Sequence, residues 1–579
     1  MKNIISPVIK KVDYSSESFE ELTNSIAGDE REFRLLVKFP TVYIVFSKIK
    51  NREYEVYVGE TNNIERRTFQ HLHESREDWQ ELSKIDSAKM FVIGHDHFNK
   101  SLTLDIENKM MLYMTSVPQV KKINNRRENQ QDDYYTADEM DDIFSKVWLQ
   151  LQEYDKDLFP VQSIIEDSAI FKASPFHQLT SQQESAREDI IDHVIDALNE
   201  NKTGQLILVE GEAGSGKTVL LSTLFYQLNQ LKSNIVSPNI DNLNSYLIIN
   251  HDEQLKVYED IAKKLGIMQK NNETVLKPTR FINKHGVDKK ADVVLIDEAH
   301  LLWTQGKQSY RGKNQLEDIM DRAKIVIAVF DPKQILKTEG YMNTSSIQRL
   351  RNKASNQGNL IELTNQMRIN ASDETIQWIR DIIDNRMVNK IPKDPKYDLK
   401  IFDDARKMYD QIKLKSKDSS NGLSRMVATF DWKYNGNRGP EDGGYWMVST
   451  GNITLPWNLQ LPVPKLTGRK NSELPWAEQP QTINEIGSTY TIQGFDLNYC
   501  GLIIGPSVKY RNGKIIFDPE ESCNEHATRN RTMDDGTKTT VYDKLLPNEL
   551  NVLMTRGVNG LYIYAVDDQL REALKNADR

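Results

Sequence analysis

The stretch Gly211-Glu212-Ala213-Gly214-Ser215-Gly216-Lys217-Thr218 decides how this chain is read. It follows the apolar run Leu206-Ile207-Leu208-Val209 and precedes Val219-Leu220-Leu221-Ser222-Thr223-Leu224, so the local order is strand, glycine loop, helix. The spacing G-x-x-x-x-G-K-[ST] in that context is a phosphate-binding loop. Gly211, Gly214 and Gly216 let backbone N–H groups turn inward around phosphate oxygens, with Ser215 between them, and the following helix N-terminus adds partial positive charge. Lys217 is placed to reach the outer phosphates of ATP, and the Thr218 hydroxyl to hold Mg²⁺.

Working outward, Val293 to Ile296 is a second buried strand that delivers Asp297 and Glu298 to its C-terminal end. That is where an open α/β sheet binds its ligands. Asp297 is expected to hold Mg²⁺ and Glu298 to orient or deprotonate the water that attacks the γ-phosphate. Tyr246-Leu247-Ile248-Ile249 and Ile325 to Phe330 read as further strands, the latter ending in Asp331-Pro332-Lys333-Gln334 beside the nucleotide, with Gln334 sensing the γ-phosphate. Upstream, Gln183 lies one helix before the loop and is placed to read the adenine edge. Downstream come LTNQMR with Gln366 and Arg368, STYTIQG with Gln493 and Gly494 (both assigned to the nucleotide site), and NVLMTRG with Thr555 and Arg556. Arg368 and Arg556 are candidate arginine fingers, which stabilise transition-state charge across a cleft.

Taken in order, GEAGSGKT, LIDEAH, FDPKQ, LTNQMR, STYTIQG and NVLMTRG resemble the motor of superfamily 1 helicases, and within it the helicase-like family that includes the C-terminal motor region of Schlafen proteins. The resemblance implies two RecA-like domains of doubly wound parallel sheet with the nucleotide between them, over residues 176–370 and 371–579. Tyr490 stands where many relatives have histidine, Asp496 where the Gln-Gly pair is often followed by glutamate, and no inserted accessory domain is evident. ATP hydrolysis is therefore a firmer expectation than translocation or strand separation.

The N-terminal region carries a second set. Val42 to Phe46 reads as a strand and Tyr54 to Gly59 as its hairpin partner across Lys50-Asn51-Arg52. Asn62 or Asn63 caps a helix that sets Arg67 and His71 on one face, and LTLDIENKMMLYM is a helix with Glu107 among apolar residues. Lys121, Lys122, Asn124, Asn125, Arg126 and Arg127 follow. This order resembles the GIY-YIG endonucleases, with Thr41-Val42-Tyr43 in place of GIY and Tyr57-Val58-Gly59 in place of YIG. The resemblance implies a small α/β nuclease domain. It assigns Arg67 and His71 to the family's catalytic pair, Glu107 to the single carboxylate that holds Mg²⁺ or Mn²⁺, and Asn124 or Asn125 to the late asparagine. A metal on Glu107 polarises the scissile phosphate, Arg67 stabilises developing charge, and Tyr43, helped by Tyr57, positions or deprotonates the attacking water. Thr41, where the family has glycine, puts the tightness of the first strand in question.

The boundaries expected are 1–150 for the nuclease, 151–175 for a linker or packing segment around Pro160 and Pro175, and the two RecA-like domains beyond. At 579 residues the chain has room for about three or four domains. Net charge is −9, so nucleic acid must be met by local basic patches. One candidate contact is the loop with Lys307, Arg311 and Lys313, which can meet a phosphate or be simply a solvated loop; a second is Trp432, Trp446 and Trp457, which can stack on bases or pack in the core. Cys500 and Cys523 are the only cysteines, which excludes a disulfide framework and a cysteine zinc site and suits the cytoplasm. The opening MKNIISPVIKKVDYSS is no signal peptide, and no stretch approaches about 20 apolar residues, so no membrane partner is expected.

Three functions fit these residues: an ATP-dependent nucleic-acid motor joined to a metal-dependent endonuclease, with DNA ahead of RNA; an ATP-gated nuclease switch without unwinding, such as an anti-phage defence effector; or a motor with a non-cleaving targeting domain. The residues leave the oligomeric state open.

Overall fold

A computed structural model describes residues 5–49, 53–73, 88–124, 134–231, 243–268, 272–306, 310–364, 366, 368–418, 421–436, 438–463, 474–533 and 536–578. The chain forms two compact units. The first comprises residues 1–180, 222–236 and 256–275; the second comprises 181–221, 237–255 and 276–579.

The first unit is built on a five-stranded sheet of β1 (Val8–Asp13), β2 (Thr41–Lys48), β3 (Tyr54–Thr61), β4 (Lys89–Gly94) and β5 (Val120–Asn124), in the order β1-β4-β2-β3-β5. β5 joins β3 in parallel, and the other pairings are antiparallel. Side chains alternate across a strand, so β2 and β3 present two different faces. Val42, Ile44, Phe46, Val56 and Val58 pack with Leu102, Ile106 and Met110 of helix Lys100–Ser116. Tyr43, Val45 and Tyr57 pack on the other face with Phe19, Leu22, Leu35 and Ile64. Both faces are covered, which explains why seven of the eight residues of β2 are buried. The acidic helix Met140–Tyr154 joins the first core through Ile143, Phe144, Val147, Trp148 and Leu151, as do Leu158, Phe159 and Ile165 further on.

Helix Lys100–Ser116 is tied at both ends. Asn99 caps its start by accepting from Leu102 N at 3.0 Å. At its finish the buried Lys264 donates Nζ to Thr115 O (2.8 Å) and Val117 O (3.1 Å), a cation on carbonyls at the negative end of the helix dipole. Lys264→Met should lower the unfolding free energy by about 2–3 kcal/mol, because the carbonyls stay buried without a donor. A urea midpoint equal to that of the unsubstituted chain would show that they are rehydrated without cost.

The second unit holds two parallel sheets. The first contains β6 (Gln205–Gly211), β7 (Ser245–Ile249), β8 (Val275–Leu276), β9 (Ala291–Asp297), β10 (Ala323–Phe330) and β11 (Leu360–Leu363), in the order β11-β6-β10-β9-β7-β8. The described pairings of β11, β6, β10, β9 and β7 are all parallel. The unbroken apolar runs of β6, β9 and β10 are what a strand covered on both faces requires. The other sheet contains β12 (Asp398–Ile401), β13 (Arg425–Ala428), β16 (Ile486–Gly487), β17 (Leu497–Ile504) and β22 (Gly557–Ala565), ordered β12-β22-β17-β13-β16 and again all parallel. Hairpins β14 (Met447–Thr450) with β15 (Ile453–Pro456), β18 (Val508–Arg511) with β19 (Lys514–Phe517), and β20 (Arg531–Thr532) with β21 (Lys538–Thr539) lie outside it. The chain is therefore a small mixed α/β domain followed by two doubly wound parallel-sheet domains. Among the described residues, no helix is long and apolar enough to cross a membrane.

Candidate functional site

The loop between β6 and helix Lys217–Leu231 is tight. Gly214 and Gly216 take φ of +91° and +75°, in the left-handed region. A Cβ at Gly214 would lie 2.5 Å from Arg368 Cβ and 2.8 Å from Gln366 Oε1, so the loop and the LTNQMR segment close on each other. Lys217 is 6 % exposed and donates Nζ to Gly211 O (2.6 Å) and Glu212 O (2.8 Å). Burial lowers its pKa, while Asp331 and Glu298 pull it back up. Gln183, expected at an adenine edge, is buried and donates Nε2 to Ser215 O at 3.3 Å, so its amide supports the loop.

β9 delivers Asp297, 1 % exposed, to the same end of the sheet. Glu298 follows with φ +50° and ψ 51°, a left-handed conformation at a residue that is not glycine, and its N–H donates to Asp297 Oδ1 at 3.0 Å. His300 is buried with Nε2 3.3 Å from Glu298 Oε2, and burial lowers its pKa, so it is neutral. Ser215 Oγ, His300 Nδ1 and Arg368 Nη1 are buried without a hydrogen-bond partner. Such unsatisfied atoms around a phosphate loop fit a charged ligand. Thr218, Asp297 and Glu298 bring hydroxyl and carboxylate oxygens, the hard donors that Mg²⁺ takes.

The second sheet adds its own groups. Arg556, fully buried just before β22, donates Nε to Val552 O (2.8 Å), Nη1 to Phe495 O (3.3 Å) and Nη2 to Gln334 Oε1 (3.0 Å). Gln334 passes the contact on by donating Nε2 to Asp331 Oδ2 at 2.8 Å. Burial pushes the Arg556 guanidinium down to about 9, with Arg368 adding to the fall and Asp496 and Glu298 opposing it, so it stays cationic at neutral pH. Gln493 donates Nε2 to Gln334 O at 3.3 Å. Gly494 has φ +85°, and a Cβ there would run into the Gln254 amide. Arg368 pairs with Asp496 at 2.6 Å.

Below these groups lies a cleft of 1290 Å³ whose lining includes His251, Lys277, Lys337, Tyr434, Trp446 and Tyr490. Tyr490, the departure from histidine, donates its hydroxyl to Asn524 Oδ1 at 2.8 Å, and Lys337 Nζ sits 4.8 Å from its ring centroid. Of the tryptophans, Trp457 is fully buried, which removes it as a stacking platform. Trp432 and Trp446 are half-buried, their indole N–H groups donating to Ser449 O (3.1 Å) and Arg438 O (2.9 Å). Lys307 lies outside the described residues.

In the first unit, β2 and β3 set Tyr43 opposite Gly59, and the rings of Tyr43 and Tyr57 stack with centroids 6.0 Å apart. A Cβ at Gly59 would lie 2.5 Å from the Tyr43 hydroxyl and 2.9 Å from Tyr57 Cε1, so only glycine admits the two tyrosines here. Asn63 is the cap of helix Ile64–His73, accepting from Arg66 N at 2.9 Å, and that helix sends Arg67 Nε to Tyr43 Oη at 3.4 Å. Burial raises the Tyr43 pKa well above its ordinary value, Tyr57 adds to the rise, and Arg67 opposes it. Burial tends to lower the Arg67 pKa, but Tyr43 and Tyr57 outweigh it and the net shift is upward. A 280 Å³ pocket beside these groups is lined by Glu60, Thr61, Asn62, Asn63, Arg66, Arg67 and Lys100. Its carboxylate is Glu60, paired with Lys100. Glu107 is 4 % exposed on helix Lys100–Ser116 and is not among those lining residues. Among the described residues no group of three His, Cys, Asp or Glu could hold a metal. Glu107 offers a single hard carboxylate, so an ion held there would have to take its other ligands from water or substrate. Asn124 donates Nδ2 to Glu55 Oε1 at 3.0 Å. The His71 side chain and residues Asn125, Arg126 and Arg127 lie outside the described residues.

Sequence reasoning missed His300, Glu60 and Tyr14. The first was readable as the last letter of the DEAH block. Glu60 follows the YVG motif directly but carries no signal of its own. Tyr14 has its pKa raised by burial and by Tyr57 and lowered by Arg67, and nothing in the sequence ties it to them.

Phosphate loop, paired acids and the buried Arg556 on two parallel sheets define a helicase-like fold, here preceded by a small mixed α/β domain. Residues 39–113 match the GIY-YIG catalytic domain. Residues 204–567 match the Schlafen group 3, DNA/RNA helicase domain, and the chain belongs to that family. It is 33% identical to an uncharacterised protein of Saccharomyces cerevisiae, YPL245W, over 433 residues, which cover 68% of this chain and 90% of the relative. Among solved structures it is similar to the arterivirus nonstructural protein 10 helicase, at 15% identity and a TM-score of 0.27, over 66% of this chain and 64% of that one. The DNA complex of that helicase matches at 14% identity and a TM-score of 0.27, over 66% of each chain. The chain thus spans just under two thirds of the first of these helicase chains.

Proposed function

We propose that the protein hydrolyses ATP on a nucleic-acid strand and, with a divalent metal, cuts phosphodiester bonds in DNA. The observation that carries the motor half is the hydrogen-bonded series Asp331, Gln334, Arg556, which joins the end of β10 to the start of β22 and so links nucleotide chemistry to the position of one sheet against the other. Lys217 exchanges its loop carbonyls for phosphate oxygens, and Glu298 Oε2 accepts the proton of the attacking water. Arg368 and Arg556 stabilise the charge that develops on the γ-phosphate. Thr218 and Asp297 would hold Mg²⁺, which supplies charge neutralisation when bound. The cleft with Lys277, Lys337 and its aromatic residues would carry the strand.

In the nuclease half, Glu107 would hold Mg²⁺ or Mn²⁺, which polarises the phosphate when bound. Arg67 neutralises developing charge. Tyr43, its hydroxyl held protonated by burial, orients the water as a hydrogen-bonding group and does not act as the base. We place the protein in the cytoplasm, where two free thiols are stable, and its use in defence against phage, the latter by analogy of domain pairing alone.

The test uses the full chain, Lys217→Ala and Glu107→Ala with labelled single-stranded, duplex, forked and circular DNA and matching RNA, with Mg²⁺ and with or without ATP. Lys217→Ala should lose nucleic-acid-stimulated ATPase, and Glu107→Ala should lose cleavage while keeping ATPase. Full ATPase in the first would sink the motor reading; wild-type cutting in the second would sink the assignment of Glu107.

A further inference from the structure

A groove of 1040 Å³ in the second unit lies away from the sites above and is lined by five cations, Lys290, Lys313, Arg349, Lys353 and Arg531, against two acids, Glu317 and Asp321. The excess is local, in a chain whose net charge is −9. Among the described residues, Arg349 donates Nη2 to Ser346 Oγ (2.9 Å) and Lys353 approaches Met320 Sδ (3.8 Å), and neither they nor Lys290 nor Lys313 forms an ion pair. Arg531 lies deeper, donating to Thr304 and Thr338, and adds its charge to the floor.

The topology fixes where this groove lies. Gly204 immediately precedes β6, Lys290 immediately precedes β9, and Asp321 lies just before β10. Those strands run parallel, so their N-terminal ends share one edge of the sheet, while Gly211, Asp297 and Asp331 share the other. The groove is therefore at the edge away from the phosphate loop. Arg349 and Lys353 stand one turn apart on helix Thr344–Asn356, about 6 Å along its axis. Lys313 and Lys290 come from separate loops, and Tyr341, Met342 and Leu350 supply an apolar lining. Charges spread along an open groove suit a polyanion drawn past them better than one captured phosphate.

We infer that this groove is a second contact site for the phosphate backbone of a nucleic-acid strand, outside the cleft between the two sheets. The inference rests on the nucleic-acid reading above and deepens it. It also gives Lys313, singled out in the sequence as a basic loop residue, a set of partners that the sequence does not show. Contacts of this kind position a strand without reading its bases.

The test is fluorescence anisotropy of the full chain with labelled oligo-dT of about 8 and about 30 nucleotides, the shorter sized for the cleft alone, across a KCl series. Each phosphate contact on a single strand contributes about 0.7 to the slope of log affinity against log salt. The triple variant Lys313→Gln, Arg349→Gln, Lys353→Gln should lose about 2 from the slope with the long strand and nothing with the short one. Its ATPase in the absence of nucleic acid should be unchanged. Lys290→Gln alone, a single loop change that leaves packing untouched, should lose about 0.7 with the long strand. Unchanged slopes with both strands would overturn the groove and leave the cleft reading standing. A wild-type chain with no salt-dependent binding would overturn both. Slope loss for a polyglutamate peptide, without loss for the strand, would overturn the inference in favour of an acidic polypeptide partner.

Discussion

Arg556→Lys is expected to lower the kcat of nucleic-acid-stimulated ATP hydrolysis by about 10³-fold and to leave ATP affinity within a few-fold. Lysine keeps the charge but not the planar fork that serves Val552, Phe495 and Gln334 at once. One ammonium cannot hold Gln334 in register with Asp331 and also face a γ-phosphate. The loss belongs in kcat because the charge that Arg556 answers develops only in the transition state. ATP affinity rests on the loop and Lys217, which the substitution does not touch. A fluorescent ATP analogue reports affinity, and a coupled assay with saturating strand reports kcat. Wild-type kcat in Arg556→Lys would mean that Arg556 is only a fastener between the sheets. A rise in KM of about 10³-fold with kcat unchanged would place it in ground-state binding.

Arg67→Ala is expected to reduce metal-dependent DNA cleavage by about 10²–10³-fold, the range for loss of one preorganised cation or donor at a developing negative charge. Arg67 reaches Tyr43 on one side and the small pocket with Glu60 and Lys100 on the other, so it touches both the tyrosine pair and the open space. Tyr43→Phe gives the discriminating comparison. The pKa of Tyr43 is raised above its ordinary value of 10.0, so the neutral hydroxyl prevails at every pH below that value. A positioning hydroxyl predicts a rate lowered about tenfold in Tyr43→Phe, with a pH profile of unchanged shape between about pH 6 and 9. A tyrosinate base predicts a different pH profile. The wild-type rate would then climb with pH toward 10 and beyond, and Tyr43→Phe would flatten the climb. Single-turnover cleavage at fixed metal across that range separates the two.

The strands were legible wherever an apolar run had no competing explanation. Leu206–Val209, Val293–Ile296 and Ile325–Phe330 are central strands of a parallel sheet, and no amphipathic helix has that pattern. The spacing of the phosphate loop gave its conformation, because the left-handed Gly214 and Gly216 are positions that only glycine fills cheaply. What stayed hidden depends on approach between segments far apart in sequence. Asp496 could be noticed only as an odd residue after Gln-Gly; its pairing with Arg368 is set by how two loops meet. Helix Met140–Tyr154 shows an apolar stripe among its acids, yet the stripe does not say which core it enters. Trp457 reads the same whether buried or stacked on a base, and the Phe430 ring 4.9 Å away decides it. Whether Asn62 or Asn63 caps the Arg67 helix is a matter of one residue in register, below what propensity resolves.

Glu298 has one further consequence. Its left-handed backbone costs about 1–2 kcal/mol at any residue with a β-carbon. Glycine or asparagine would sit there at ease. With the role proposed above for Glu298, the end of β9 is a point where heat resistance and chemistry favour different amino acids. A laboratory selection that rewarded only survival at high temperature would drift toward Gly or Asn at this position and return a sturdier protein that no longer consumes its fuel.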